Sequence, residues 1–425
     1  MTAKAGSFGA PAATASALAM RSMAASASRS SRLSAPDRLA LGAAWNGAGT
    51  SSSGIWGRLQ WFSWKVLTVV LSNAQRLALA TKLSHLRQPV AEAVTEQFFQ
   101  RHPDWGDRYG PRGRERGIED ARYHLDFLGG ALTAGEPQAF ADYVRWARRV
   151  LAARGLESRF LRETLEQIAV ALAARLDSDS RAAIEELMEA GLAACDEPAG
   201  GAPADEAEEG ALAAGRRLYL QAVLRGQREA AMGIVSASLK AGHPVLNLYL
   251  KILQPVQYEI GRLWERNAIS VAEEHMATAI TQSVMARLYP LVPQERQSCR
   301  GRMVLTGVEG EMHQVGANMV ADVVEIHGWE VRFLGTNLPQ EGILRVVEEQ
   351  RPDVVGVSAT MLFNLTRVRS LIEAVHALPI PRPRVLVGGA AFRTAAGAWK
   401  EVGADACALD LEQAIELLCG DGVAA

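Results

Sequence analysis

The sequence has few cysteines, no long uncharged apolar run and no surplus of charge of either sign, and each shortage removes a class of protein. Its four cysteines, Cys195, Cys299, Cys407 and Cys419, lack the close pairs that a zinc site or a redox dithiol needs. They are also too few for a disulfide scaffold, so a reducing, cytoplasmic setting is expected. Forty-five basic and 47 acidic side chains leave a formal charge of −2, which gives neither nucleic acid nor an anionic membrane surface an electrostatic hold. The stretch from Ile55 to Leu83 is rich in tryptophan (Trp56, Trp61, Trp64) but is broken by Arg58, Lys65 and Arg76. It falls short of the roughly 20 apolar residues that span a bilayer, so an amphipathic helix is expected there and no transmembrane segment. Residues 1–54 are mostly Ala, Ser, Gly and Arg, with no acidic side chain before Asp37. Such a segment buries too little apolar area to offset its ordering entropy, and disorder is expected.

What is present divides the remaining chain into several units, as its length allows. Within residues 55–195 apolar side chains recur at helical spacing, as in Phe140, Tyr143, Val144, Ala147 and Val150, and in Leu165, Ile168, Leu172 and Leu176. Residues 196–209 carry Pro, Gly and acid with almost nothing apolar, the composition of a solvated linker. Residues 210–292 read as three or four further helices. From residue 300 to 425 strand-length apolar runs alternate with helix-length stretches: Met303–Val308, Val331–Leu334, Val354–Ser358, Val385–Val387 and Ala406–Leu409. That rhythm predicts a doubly wound parallel sheet of Rossmann-like type, with ligands at the carboxyl ends of its strands. The expected fold class is therefore multi-domain, α followed by α/β.

The informative residues fall at those strand ends. After the first strand the chain reads Glu309-Gly310-Glu311-Met312-His313-Gln314-Val315-Gly316. His313 is placed to coordinate a metal, Glu311 to accept its other ring N–H, and Gly316 to let a bulky ligand approach. This element resembles the Asp-x-His-x-x-Gly signature of the cobalamin-binding fold of methionine synthase, corrinoid methyl carriers and B12 mutases. Ser358-Ala359-Thr360 and the Gly388-Gly389 pair follow at that family's spacing. The resemblance implies that His313 lies beneath cobalt in place of dimethylbenzimidazole and that the displaced nucleotide tail threads into the sheet. Ser358 would bond the displaced base, and Gly388 and Gly389 would leave room for it. One departure is Glu311, which stands where the family usually has Asp; its extra length puts the contact with His313 in doubt.

The helices before the sheet contain Trp264, then Glu274-His275 ten residues on, which resembles the cap over the upper corrin face in light-responsive B12 repressors. That likeness implies Trp264 against the upper axial group and Glu274 with His275 near a 5′-deoxyadenosyl ligand. Glu265 stands where the repressors carry a second cobalt-binding histidine. The stretches Asp120–Leu128 and Phe140–Trp146 resemble the globin-like helical domain of photocobilins, which carry biliverdin beside cobalamin. Arg122, His124, Tyr143 and Arg145 are then candidates for a bilin held without a thioether, since no cysteine precedes Cys195.

There is no room for the repressors' winged-helix domain, and no nucleic-acid partner is expected. The resemblances together imply a non-catalytic photosensor in which light opens the cobalt–carbon bond of adenosylcobalamin and changes packing or assembly. Output would pass through a homo-oligomer or a separate signalling protein. A corrinoid methyl carrier serving a methyltransferase, and a redox-responsive B12-binding co-regulator, are the alternatives.

Overall fold

The structure, a computed structural model, describes residues 71–198, 211–291 and 300–419. The segment 1–54, the tryptophans before residue 71, most of the 196–209 linker and Cys299 lie outside the described residues. No helix among the described residues is long and apolar enough to cross a membrane.

Five helices form an N-terminal unit: α1 (Asn73–Arg101), α2 (Pro103–Ala134), α3 (Pro137–Ala152), α4 (Ser158–Ala173) and α5 (Ser178–Asp196). Their starts follow from local chemistry. The Gln75 N–H donates to the Ser72 hydroxyl while the Ser72 N–H donates back to the Gln75 side chain, and Asp177 caps α5. Pro137 sits in the first turn of α3, where no N–H is needed. α2 breaks at Gly110, at φ 58°, because Pro111 can neither donate a helical bond nor tolerate a helical residue before it. The apolar residues picked out by helical spacing, from Phe140 to Val150 and from Leu165 to Leu176, are all buried.

Four helices follow: α6 (Ala211–Leu224), α7 (Arg228–Lys240), α8 (Gln254–Glu265) and α9 (Val271–Leu288). A short helix, Val245–Leu248, and a wider π-type turn, Tyr249–Leu253, lead into α8. Ser270 and Glu273 form a capping box that fixes the start of α9. These helices share a core around Tyr219, Ile252 and Val284 that runs on to Met319 and Val323 of the next unit. There the Tyr249 hydroxyl donates to the buried Asp322 carboxylate at 2.6 Å.

The last unit is a parallel sheet of β1 (Arg302–Gly307), β2 (Glu330–Phe333), β3 (Val354–Ser358), β4 (Arg384–Gly388) and β5 (Ala406–Ala408), ordered β2-β1-β3-β4-β5. Its longer helices are α10 (Val315–Ile326), α11 (Gln340–Gln350), α12 (Leu365–His376) and α13 (Leu411–Cys419). Each expected strand is present, with ends shifted by one residue at most. Strand order reverses between β1 and β3, and in such sheets that switch point opens a crevice for ligands.

The N-terminal helices pack on this unit as well, their core running on to Leu362, Leu365 and Val368. Contact is closest at Gly130, where a Cβ would lie 2.4 Å from the Leu362 carbonyl oxygen. Thr133 and Thr366 share a hydroxyl bond of 2.8 Å, the Gly397 N–H donates to Glu136 at 2.7 Å, and Arg76 pairs with Glu401.

Two outcomes follow from these contacts. Gly129, with nothing within 4 Å of its missing Cβ, should accept alanine with a gain of about 1 kcal/mol from helix propensity, whereas Gly130→Ala should lose about 1–3 kcal/mol. Urea unfolding of the two variants side by side reads the difference in sign. Burial raises Asp322 from its ordinary 3.8 to about 6, with the Tyr249 bond opposing. The folded state thus holds this proton more tightly than the unfolded chain. The group's contribution is complete below about pH 4 and is lost as pH rises through about 6. The stability of the parent relative to Asp322→Asn should therefore fall by on the order of 2 kcal/mol between those limits, measured by urea unfolding across pH.

Candidate functional site

The site begins with one carboxylate. Glu311, in the loop between β1 and α10, is fully buried. Its Oε1 accepts from the His313 backbone N–H at 2.8 Å and lies 2.7 Å from His313 Nδ1; its Oε2 accepts from the Thr360 N–H at 2.7 Å and Asn364 Nδ2 at 3.0 Å. Burial alone would push this carboxyl up, but the His313 bond and charge and the two backbone donors hold it below the ordinary carboxylate range. An ionised Glu311 requires the ring proton on Nδ1. In the neutral ring the lone pair then lies on Nε2, which makes no hydrogen bond among the described residues.

The imidazole is 54 % exposed and lines a cavity of about 1240 Å³ at the switch point. Burial of the ring works against its charged form, but the bond to Glu311, the Glu311 charge and the Glu274 carboxylate outweigh it, so His313 titrates above the ordinary histidine range. The longer acid thus reaches the ring directly. Contact needs no water, contrary to the doubt raised by glutamate in place of aspartate, because the backbone at Thr360 and the Asn364 amide hold the carboxylate against the loop.

One side of the cavity runs down the sheet as a slot, past Ser358 and Thr360 at the end of β3, Gly388 and Gly389 at the end of β4, and Gly316 on α10. The Ser358 hydroxyl makes no hydrogen bond among the described residues. The glycines differ in kind. At Gly316 a Cβ would meet nothing within 4 Å, so its open space faces whatever enters. At Gly388 a Cβ would lie 2.6 Å from the Ala408 carbonyl oxygen, and at Gly389, at φ 106°, 2.3 Å from that of Ala359. The pair is thus required by the sheet's own backbone, before any ligand is considered.

The opposite wall comes from α8 and α9, which bring Trp264, Glu274 and His275 to the same cavity. Glu274 contacts His275 Nδ1 and accepts from the Thr278 hydroxyl at 3.0 Å. A third wall, which the sequence did not suggest, is made by Phe127, Tyr143 and Trp146 of the N-terminal unit. Phe127 and Tyr143 stack at 3.7 Å, and Phe363 meets Phe127 edge-on. Glu265 is engaged in this wall, accepting from Trp146 Nε1 at 2.9 Å.

A second cavity of about 430 Å³ lies within the N-terminal helices. Phe98, Phe99, Trp105, Tyr109 and Phe160 make it aromatic, and Arg108, before the break at Gly110, lines it together with Arg112 and Arg116 after the break. Its floor holds Asp120, pushed to about 8 by burial and Glu119, and His124, brought down to about 4 by burial, so both are uncharged at neutral pH. Asp120 Oδ1 and Thr95 Oγ1 are buried without a hydrogen-bond partner.

The four candidate bilin residues are not gathered in one place. His124 lines the smaller cavity, Tyr143 and Arg145 line the larger, and Arg122 lines neither. His124 Nδ1 lies 2.6 Å from the Tyr143 hydroxyl, so this buried pair forms part of the partition between the two cavities. Arg145 is already committed to Asp142 and, with two nitrogens, to Glu197. The four-residue spacing of Arg108, Arg112 and Arg116 between aromatic residues was the signal that could have pointed to the smaller cavity.

Among the described residues no three His, Cys, Asp or Glu side chains cluster as a metal-binding set. A metal reached by His313 alone must bring its other ligands with it, as a metal held in a macrocycle does. The open Nε2, the large cavity and the slot fit such a group.

Comparison with known proteins agrees. Family models described as B12 binding domains match residues 216–289 and 301–418. The dimethylamine corrinoid protein 3 of Methanosarcina mazei is 30 % identical over 161 residues, which covers 37 % of this chain and 94 % of that protein. The HTH-type transcriptional repressor CarH of Myxococcus xanthus is 33 % identical over 161 residues, covering 36 % of this chain and 50 % of the repressor. The solved monomethylamine corrinoid protein of Methanosarcina barkeri superposes with a TM-score of 0.44 at 19 % identity, over 49 % of this chain and 98 % of that one. Through its cap helices and parallel sheet, the chain belongs to the B12-binding family of the corrinoid proteins.

Proposed function

We propose that the larger cavity holds a cobalamin with His313 Nε2 as the lower ligand of cobalt, and that the chain acts by changing shape with the state of the upper face. The observation that carries the first part is the Glu311 carboxylate, whose four donors leave His313 no tautomer but the one with Nε2 open. Ser358 and Thr360, with the slot beside Gly388 and Gly389, would receive the nucleotide tail. Gly316 leaves space for the ring, and Trp264, Glu274 and His275 would meet an adenosyl group above it. When bound, such a group supplies either a methyl for a partner enzyme to take or, as adenosylcobalamin, a bond that light opens. Under either use the chain needs no catalytic group of its own.

Two uses remain, and different observations favour them. The names of the relatives, dimethylamine corrinoid proteins among them, favour a methyl carrier that serves a methyltransferase. The third wall favours a sensor. A carrier has to bare the upper face to its partner, whereas here Tyr143 and Trp146 of an additional helical unit close on the cap. In the sensory reading the chain divides into a globin-like helical unit up to residue 195, a linker at 196–209, a cap over 210–292 and the B12-binding unit from 300 onward. A noncovalent bilin such as biliverdin suits the smaller cavity. Arg108, Arg112 and Arg116 would meet its carboxylates, and Asp120 and Thr95 its polar ring atoms. That placement replaces the one drawn from Arg122 and Arg145. Output would pass through self-association or a separate signalling protein.

The full-length chain reconstituted in the dark with adenosylcobalamin and biliverdin tests both parts, by absorbance and gel filtration before and after green light. A joint shift of spectrum and size supports the sensor, and added far-red absorbance supports the bilin. Cobalamin binding with no change of size moves the assignment to the carrier. His313→Ala should abolish the spectrum of histidine-ligated cobalamin, and Glu311→Gln should weaken binding roughly 10–100-fold while retaining it. An unaltered spectrum in His313→Ala would count decisively against the assignment.

A further inference from the structure

The cap turn that carries Trp264 is gripped from outside the cap. Arg154, in the turn between α3 and α4, is only 4 % exposed, yet no carboxylate among the described residues bonds to it. Its guanidinium donates instead to the carbonyl oxygens of Val150 at 2.9 Å, Glu265 at 3.1 Å and Trp264 at 3.2 Å. Its Cζ also lies over the Trp264 ring, 4.9 Å from the centroid. A buried guanidinium that feels the Glu265 charge but forms no ion pair with it is tolerated only while such acceptors and a ring face compensate for lost water. This arrangement therefore favours one position of the turn over others. Two neighbouring bonds act in the same sense: Trp146 Nε1 to Glu265, and Asn267 Nδ2 to the Ala153 carbonyl at 3.4 Å.

We propose that Arg154 is a positioning residue for the larger cavity, holding Trp264 in the upper wall and thereby setting which upper ligand the cavity accepts. With the guanidinium over one face, the indole offers the cavity its other face or its edge. The same turn has a second side. Leu151, Leu156, Glu157 and Phe160, which flank Arg154 in sequence, line the N-terminal cavity. Anything that fills that cavity presses on the segment that holds Trp264, so the two cavities communicate through Arg154. This inference rests on the cobalamin reading of the larger cavity, but the grip itself can be read without cobalamin.

The test uses the full-length chain and its Arg154→Met, Arg154→Lys and Trp146→Phe variants. Backbone hydrogen exchange of the ligand-free proteins reads the grip. Absorbance titration with adenosylcobalamin and with hydroxocobalamin reads ligand choice. In Arg154→Met, exchange across 262–268 should rise about tenfold while β1 and β3 stay protected, and adenosylcobalamin should weaken about tenfold more than hydroxocobalamin. Lysine should restore part of both effects. Trp146→Phe, which keeps an aromatic side chain but loses the N–H bond to Glu265, should move both the same way by a smaller factor; it decides the matter if Arg154→Met does not fold. Unchanged exchange at 262–268 would overturn the proposal. So would an equal loss of both cobalamins, which would make Arg154 a support of the fold and nothing more. If the parent chain binds neither cobalamin, the functional reading fails on its own and exchange alone decides the grip.

Discussion

The Glu311 carboxylate is the interaction on which the site depends. It is buried, it is ionised, and each of its oxygens is shared between two donors. Those donors come from three places: the loop after β1, the backbone just past β3, and Asn364 at the start of α12. One side chain therefore pins the two strand ends that border the switch point. Burying a carboxylate is costly, and the cost is offset only if every lone pair finds a donor. His313 is thus positioned by the same balance that keeps the crevice open, and its Nε2 is left available because Nδ1 is required elsewhere. A neutral residue at 311 would leave the Thr360 N–H and the Asn364 amide without their charged acceptor as well as loosening the imidazole.

The strand-end glycines separate what the fold needs from what a ligand needs. Gly388 and Gly389 resemble a ligand-driven motif in sequence, yet in the structure each faces a carbonyl oxygen closer than any Cβ could approach, and Gly389 adds a left-handed φ. They would be required in an empty sheet of this geometry. Gly316 faces open space and sits at a helical φ, so nothing in the protein demands it. Of the glycines in the motif it is the one whose choice points outward to a bound group.

The parallel sheet and its motif could be read from the sequence because their signals are local. Strand-length runs such as Val354–Ser358 alternate with helices, and His313, Ser358 and Gly388 each lie at or just beyond a strand end, where ligands bind in this kind of sheet. The helices of the N-terminal unit were equally legible from spacing, since Phe140, Val144 and Leu165 are buried as their period requires. What spacing could not give was contact across units. Trp146 and Glu265 are more than a hundred residues apart, and nothing near either announces the other. Glu265 read as the loss of a histidine; in the fold it is the acceptor that ties the cap to the N-terminal helices. The bilin candidates failed to converge for the same reason. Helical spacing puts residues on one face of one helix, but Arg122, His124, Tyr143 and Arg145 belong to two helices, and their packing sends His124 to one cavity, Tyr143 and Arg145 to the other and Arg122 to neither.

The three-walled cavity bears on how the chain is used. On the proposed reading a corrin between sheet and cap would have its lower face fixed by His313, so any change of upper ligand would be absorbed by the upper walls. Trp264 cannot move alone, because its carbonyl and its ring are both held by Arg154, and its neighbour Glu265 is held by Trp146. Displacing it means breaking the contact between cap and N-terminal unit together, which is how a small change at one ligand becomes a change in the relation of two domains. The N-terminal unit is itself anchored on the sheet through Gly130, Thr133 and Glu136, far from the cap. With one end fixed and the other latched, the proposed sensor would respond to the cap by opening at the latch. A partner enzyme that had to reach the upper face would work against that latch at every turnover, whereas a sensor would use each opening as its signal.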